Sequence, residues 1–114
     1  MTVGLNVKIE EIKQKTIIRV EGRLDAASSP VLENKLSEIV GSGKKEIILD
    51  FAKVDYLSSA GMRLLLSTTK KLKATDGKLH FCSINEEVME IIKMAGFERI
   101  LSIFTSEQEA LSAF

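Results

Sequence analysis

The tightest constraint on this chain lies between Glu46 and Ala74, where EIILDFAKVDYLSSAGMRLLLSTTKKLKA changes period part-way along. It opens with an unbroken apolar run, Ile47-Ile48-Leu49, followed by Asp50 and Phe51. Successive side chains of a strand point to opposite faces, so such a run calls for cover on both. A short polar link leads to Tyr56-Leu57-Ser58-Ser59-Ala60-Gly61, and from Met62 the spacing turns helical. Met62, Leu65, Leu66, Thr69 and Leu72 form the inward stripe; Arg63, Ser67, Lys70 and Lys71 fall mostly outside it. Two adjacent serines therefore stand where a buried strand hands over to a helix. A hydroxyl there sits beside unpaired N–H groups and the positive end of the helix dipole. That position favours a negative group, phosphate included.

The flanks supply the covering layers. Residues 3 to 10 alternate, with Val3, Leu5, Val7 and Ile9 apolar, so they predict a strand with one buried face. Lys13-Gln14-Lys15 reads as a polar turn into a second, β-branched strand over Thr16–Glu21, which makes an antiparallel hairpin. Gly22-Arg23-Leu24-Asp25 breaks the pattern. Ser29 as N-cap and Pro30 behind it start a helix with Leu32, Leu36, Ile39 and Val40 inward, ended by Gly41 and Gly43. A strand is expected over Glu46–Phe51 and, after the Asp76-Gly77 turn, another over Leu79–Ile84. Asn85 caps a helix whose apolar positions are Val88, Ile91, Ile92 and Ala95, with Gly96 behind it. Ile100–Phe104 reads as a short edge strand, and Ser106–Glu109 as the capping box of a last helix that packs Ala110, Leu111 and Phe114. The order ββαβαβαβα predicts an α/β fold: one domain over residues 1–114, a mixed sheet with an opening antiparallel hairpin and helices packed on it.

Composition narrows the function. The 16 basic and 16 acidic residues balance, which removes a bulk electrostatic case for nucleic acid or acidic membranes. Hydrophobic residues are 45% of the 114, enough for a core. One cysteine, Cys82, excludes an internal disulfide and fits a reducing cytoplasm. The start shows neither a basic stretch nor a long apolar one, so no signal peptide is expected, and with no apolar run of about 18 residues in the sequence no membrane span is expected.

Several residues invite chemical readings. Ser58 and Ser59 read either as a helix cap or as a phosphate acceptor. A serine nucleophile would need a nearby base, and the sole histidine, His80, falls in a predicted strand. Leu57 also stands where a nucleophile elbow needs glycine. Asp50 and Asp55 read as turn residues or as an acidic Mg²⁺ or phosphoacceptor cluster, although a receiver domain would not begin with a hairpin. His80 and Cys82 share a strand face, which alone makes no zinc site. Met89 and Met94 fall outside the main stripe of their helix, as exposed contacts or packing under a loop. Gly41-Ser42-Gly43-Lys44 lacks phosphate-loop spacing and follows a helix. No cofactor is expected.

Taken together, V-D-Y-L-S-S-A-G-M-R-L-L-L after L-D-F resembles the signature of bacterial anti-sigma-factor antagonists of the STAS-domain family. G-R-L-D-A, at Gly22–Ala26, resembles that family's second signature. The element order matches too, so the resemblance covers essentially the whole chain. It implies a cytoplasmic, non-enzymatic partner-switching protein. The unphosphorylated form binds an anti-sigma factor that is also a serine kinase and frees the sigma factor. Phosphorylation ends the complex, and a PP2C-type phosphatase resets it. The resemblance places the acceptor at Ser59, followed by Ala60 and Gly61, with Asp25 shaping the kinase-binding surface. Gly61 would let the partner's backbone approach, and Arg63 and Leu64, on the first turn, would be contacts. Ser58 stands where the motif has aspartate. Slower phosphorylation, a different kinase, or Ser58 as acceptor all follow as alternatives, as does a scaffold that works without phosphorylation. A monomer or weak dimer is expected.

Overall fold

A computed structural model describes residues 4–114 of the chain. The elements are β1 (Leu5–Ile12), β2 (Lys15–Leu24), α1 (Ser29–Gly41), β3 (Glu46–Leu57), α2 (Ser59–Ala74), β4 (Lys78–Cys82), α3 (Glu86–Met94), β5 (Ser102–Phe104) and α4 (Glu107–Ser112). They realise the ββαβαβαβα order. The strands lie in the order β1-β2-β3-β4-β5. β1 pairs antiparallel with β2, and the other pairs are parallel. The hairpin closes through Lys13 and Gln14, both at positive φ (51° and 69°), the backbone a tight two-residue turn requires. Val3, the first residue of the predicted opening strand, lies outside the described residues.

Alternation along the strands sorts the core onto two faces. Ile18, Val20, Ile47, Leu49 and Phe81 pack with Leu32, Leu36, Leu65, Val88 and Ile92 of α1, α2 and α3. Ile17, Ile48 and Cys82 face the other way, onto Ala110 of α4 with Phe104, Leu111 and Phe114 around it. Ile48 is fully buried beneath α4 while its neighbours are fully buried beneath the other layer, which is why the run is apolar without a break. Arg19 fastens α4 to this second face. Its guanidinium donates to Asp50 at 2.8 Å, to Glu107 at 2.6 Å and to Glu10 at 2.8 Å.

The sequence expectations fail at places with clear physical causes. Strands β2 and β3 both outrun their predicted ends at Glu21 and Phe51, reaching Leu24 and Leu57. Bulges between Arg19 and Glu21 and between Gly22 and Arg23 shift the register. Val54 and Leu57 are therefore buried three residues apart, and the period of two is lost. Gly22 sits at φ +114°, and a Cβ there would lie 1.9 Å from the Gly4 carbonyl oxygen. The break read at Gly22 is a bulge within a continuing strand. The cap of α1 is Ser28, not Ser29, and it makes no side-chain capping bond. Its hydroxyl instead donates to the Arg23 carbonyl at 2.6 Å and accepts from the Asp25 amide at 3.0 Å. β4 stops at Cys82, two residues before its predicted end, because Ser83 turns to φ +60°. β5 begins at Ser102, since a turn takes up the residues before it.

Candidate functional site

The ends of β2 and β3 lie side by side, with Leu24 paired to Leu57. The Ser58 amide donates to the Leu24 carbonyl at 2.9 Å, so the β2–α1 turn and the β3–α2 junction form one surface. In a parallel sheet this carboxyl end of the strands is where loops gather and sites are built.

The two serines have separate jobs here. Ser58 is the N-cap of α2, at φ −89° and ψ 173°, and its hydroxyl accepts from the Gly61 amide at 3.2 Å. Its carbonyl accepts the first helical bond, from Met62 at 2.9 Å. Ser59 is the first helical residue and is exposed. Among the described residues its hydroxyl has no hydrogen-bond partner. The first turn of α2 carries no acidic residue, so no side chain there offsets the partial positive charge of the helix end. Arg63 follows one turn later on the same face and is also exposed, and Ala60 between them is half-buried.

Gly61 and Leu64, expected as contacts, are both largely covered by the chain itself. Gly61 is buried. A Cβ on it would come within 2.8 Å of Leu57 Cδ1 and 2.9 Å of both Leu24 Cγ and the Leu24 carbonyl oxygen. Its missing side chain serves close approach within the chain itself, seating α2 on the strand ends. Leu64 is only 8% exposed and belongs to the core, because α1 covers that flank of α2. Leu66, expected in the inward stripe, is partly buried and packs against the same core.

Asp25 builds the neighbouring turn. Its carboxylate accepts from the amides of Ala27 at 3.1 Å and Ser28 at 3.0 Å. The Ser28 bond above all holds its pKa below the usual aspartate value. Arg23 lies 3.8 Å from that carboxylate, with its guanidinium 4.3 Å from the ring centroid of Tyr56.

The other candidates do not converge. Asp50 is held by Arg19 and by the Ala52 amide, and Asp55 is exposed at a separate position of β3. Among the described residues no group of three or more His, Cys, Asp or Glu is placed to hold a metal ion. His80 is buried, with Nδ1 2.9 Å from the Ala110 carbonyl and its ring stacked at 3.9 Å on Phe114. Burial raises the Cys82 thiol to about 11, away from reactivity. Met89 is half-buried, and Met94 stands 82% exposed.

A groove beside Ser59 escaped the sequence reading. It encloses about 410 Å³ between α2 and α3. Its walls are Met62, Leu66, Ile91, Ala95 and Phe97, and Ser59 and Arg63 stand on its rim. The outward-tilted register of Leu66 and Ile91 was its only signal. Both fit an amphipathic stripe and pack against the core, so periodicity alone does not show that they also border a groove.

The sequence profile of the STAS domain matches residues 6–110. The chain belongs to the STAS-domain family. BtrV from Bordetella bronchiseptica, named as an anti-sigma factor antagonist, is 30% identical, with 96% of this chain and 95% of the relative covered. Among solved structures, an anti-sigma factor antagonist from Mycobacterium paratuberculosis superposes with a TM-score of 0.88 at 20% identity, over 96% of this chain and 92% of that one. The antagonist SpoIIAA, solved unphosphorylated, superposes with a TM-score of 0.78 at 23% identity, over 94% of each chain. At these identities the two structures establish the fold. SpoIIAA from Bacillus has also been solved in a phosphorylated form, with a TM-score of 0.71 at 22% identity, over 94% of this chain and 97% of that one. No helix among the described residues is long and apolar enough to cross a membrane.

Proposed function

We propose that this protein is an anti-sigma-factor antagonist switched by phosphorylation at Ser59. Unphosphorylated, it binds an anti-sigma factor that is also a serine kinase, and so frees the sigma factor. Phosphate transferred from ATP to the Ser59 hydroxyl ends the complex, and a PP2C-type phosphatase restores the first state. The protein acts in the cytoplasm as a monomer or weak dimer and catalyses nothing itself.

One observation carries this reading. Of the two serines, Ser58 spends its hydroxyl on the Gly61 amide, and Ser59 stands exposed with none of that duty. A kinase meets a free nucleophile at Ser59 and a structural cap at Ser58. The phosphate added would carry about −1.5 to −2 charges. At the first turn of α2 it lies beside unpaired amides, so the free protein tolerates it. A partner closed over the same surface must strip its water, which penalises the complex alone. A difference of about 3 kcal/mol weakens binding about 150-fold. Asp25, Ala60 and Arg63 border this surface and are the proposed contacts, with Ser58 and Gly61 shaping it from beneath.

The test is incubation with the cognate kinase and ATP, followed by mass spectrometry and binding measurements. Wild type gains one phosphate on Ser59, Ser59→Ala gains none, and Ser59→Asp binds at least tenfold more weakly. A wild type that stays unmodified, together with full binding by Ser59→Asp, sinks the switch and leaves a phosphorylation-independent scaffold.

A further inference from the structure

We infer that the groove between α2 and α3 is the seat for an apolar side chain of the anti-sigma-factor kinase, borne on a segment with an acidic residue beside it. The inference rests on the reading of Ser59 above and adds what the partner must bring to that surface.

Geometry supplies the first step. Ser59 stands on the rim of the groove. To accept phosphate, its hydroxyl must come within about 3–3.5 Å of the reacting phosphorus. The body of the kinase therefore closes over the groove mouth whenever it acts. Left unfilled, the groove would contribute nothing to that complex. Filled, its walls bury an anchor of the kind that dominates interface energetics. A space of about 410 Å³ admits a large apolar or aromatic side chain together with its neighbour's stem.

Chemistry supplies the second step. Met62, Leu66, Ile91, Ala95 and Phe97 offer no charge, and among the described residues the charged side chain lining the groove is Arg63. The helix end next to it has no acid in its first turn. A basic anchor would meet like charge there, whereas a carboxylate flanking an apolar anchor would meet its complement. Tyr56 (36% exposed), before the serines, lines the groove as well, and Met94 (82% exposed) stands on the last turn of α3, the helix that forms its far wall. Contiguous apolar surface rimmed by polar groups marks an interaction site.

The same arrangement explains how phosphate ejects the partner. A dianion on Ser59 would sit on the rim of an apolar seat, where an entering anchor must desolvate it. The phosphate would also stand one helical turn from Arg63 and take the counter-charge the partner's acid needs. Both losses fall on the complex and neither falls on the free protein.

The experiment is isothermal titration of the full chain into the purified cognate anti-sigma factor loaded with ADP. Ala95→Gln fills the groove from an exposed position at the end of α3, and Arg63→Glu reverses the rim charge. Ser37→Gln, on the exposed side of α1, serves as control, and circular dichroism confirms that each variant is folded. Ala95→Gln and Arg63→Glu should each weaken binding at least tenfold, and Ser37→Gln less than twofold. Affinities of both groove variants within twofold of wild type overturn the inference, whatever happens at Ser59. Phosphate incorporation into wild type, measured separately, judges the Ser59 reading and leaves the groove to the titration. Sedimentation equilibrium decides the competing occupant: a dimer of this chain that Ala95→Gln abolishes overturns the kinase as the one seated there.

Discussion

Gly61→Ala tests whether the serine pair is positioned by close packing beneath it. Alanine is the better helix former, so helix propensity alone predicts a gain of about 0.5–1 kcal/mol. The surroundings predict the reverse. The new methyl would lie 2.8 Å from Leu57 Cδ1 and 2.9 Å from Leu24 Cγ and from the Leu24 carbonyl oxygen. The leucine side chains yield by changing rotamer. The carbonyl does not, because it accepts the Ser58 amide at 2.9 Å and belongs to a strand paired with β3. Overpacking of this kind costs about 1–3 kcal/mol. Net of the helix gain, Gly61→Ala should destabilise by about 1–2 kcal/mol, a drop of about 4–8 °C in Tm for a domain of this size. Urea unfolding followed by circular dichroism measures it. The substitution should also weaken partner binding, since α2 must lift its first turn, with Ser58 and Ser59, away from the strand end. A variant more stable than wild type would refute the packing argument and leave Gly61 as an ordinary helix residue.

Two further outcomes follow from the same geometry. Ser58→Ala removes the bond to the Gly61 amide, so it should cost about 1 kcal/mol in urea unfolding yet still accept phosphate on Ser59; loss of phosphorylation with a fully folded chain would move the acceptor to Ser58. His80 is buried against Phe104 and Phe114, and burial lowers its pKa from the ordinary 6.5. The unfolded chain then binds the imidazole proton more readily than the native one, so stability is complete above about pH 6.5 and falls as pH drops toward the lowered native pKa. Thermal melts at pH 7.5 and 5.5 should show that fall in wild type, and His80→Leu should flatten it. The carboxylates with lowered pKa, Glu10 and Asp25, act only below this window.

Periodicity reached the fold because its signals are local. The run Ile47-Ile48-Leu49 announced a strand covered on both faces, and the caps at Asn85 and Ser106 each accept the predicted bond, at 2.8 Å from Val88 and 3.2 Å from Glu109. It failed where the backbone leaves regular geometry. The bulges of β2 and β3 replace a period of two with a spacing of three, so Val54 and Leu57 read as a link and not as strand core. It failed again where burial depends on distant elements. Nothing near Leu64 states that α1 will cover it, and nothing near Leu66 or Ile91 states that α2 and α3 will stand apart there. The serine pair was legible as a junction. The division of labour between the two hydroxyls was not, because it depends on which of them meets the Gly61 amide.

That division bears on the departure of this chain from its family's motif. Aspartate and serine both cap a helix by accepting an amide N–H, so Ser58 keeps the structural half of the position. It gives up the charge. With no acid at the cap and none in the first turn, α2 presents its full partial positive end to Ser59. On the proposed mechanism this shifts where the switching energy resides. A capping aspartate would offset the positive helix end, so the free protein would stabilise the phosphate less and the difference between free protein and complex would shrink. Beside Ser58 the phosphate is stabilised in the free protein by the helix end and by Arg63. The whole of its cost then falls on the closed complex, where the apolar groove must share the rim with a dianion. Ser58→Asp is therefore expected to leave Ser59 a substrate but to narrow the ratio of affinities between the unphosphorylated and phosphorylated forms. Titration of both forms against the kinase measures that ratio, and a ratio unchanged or widened by the aspartate would show that the helix end takes no part in the switch.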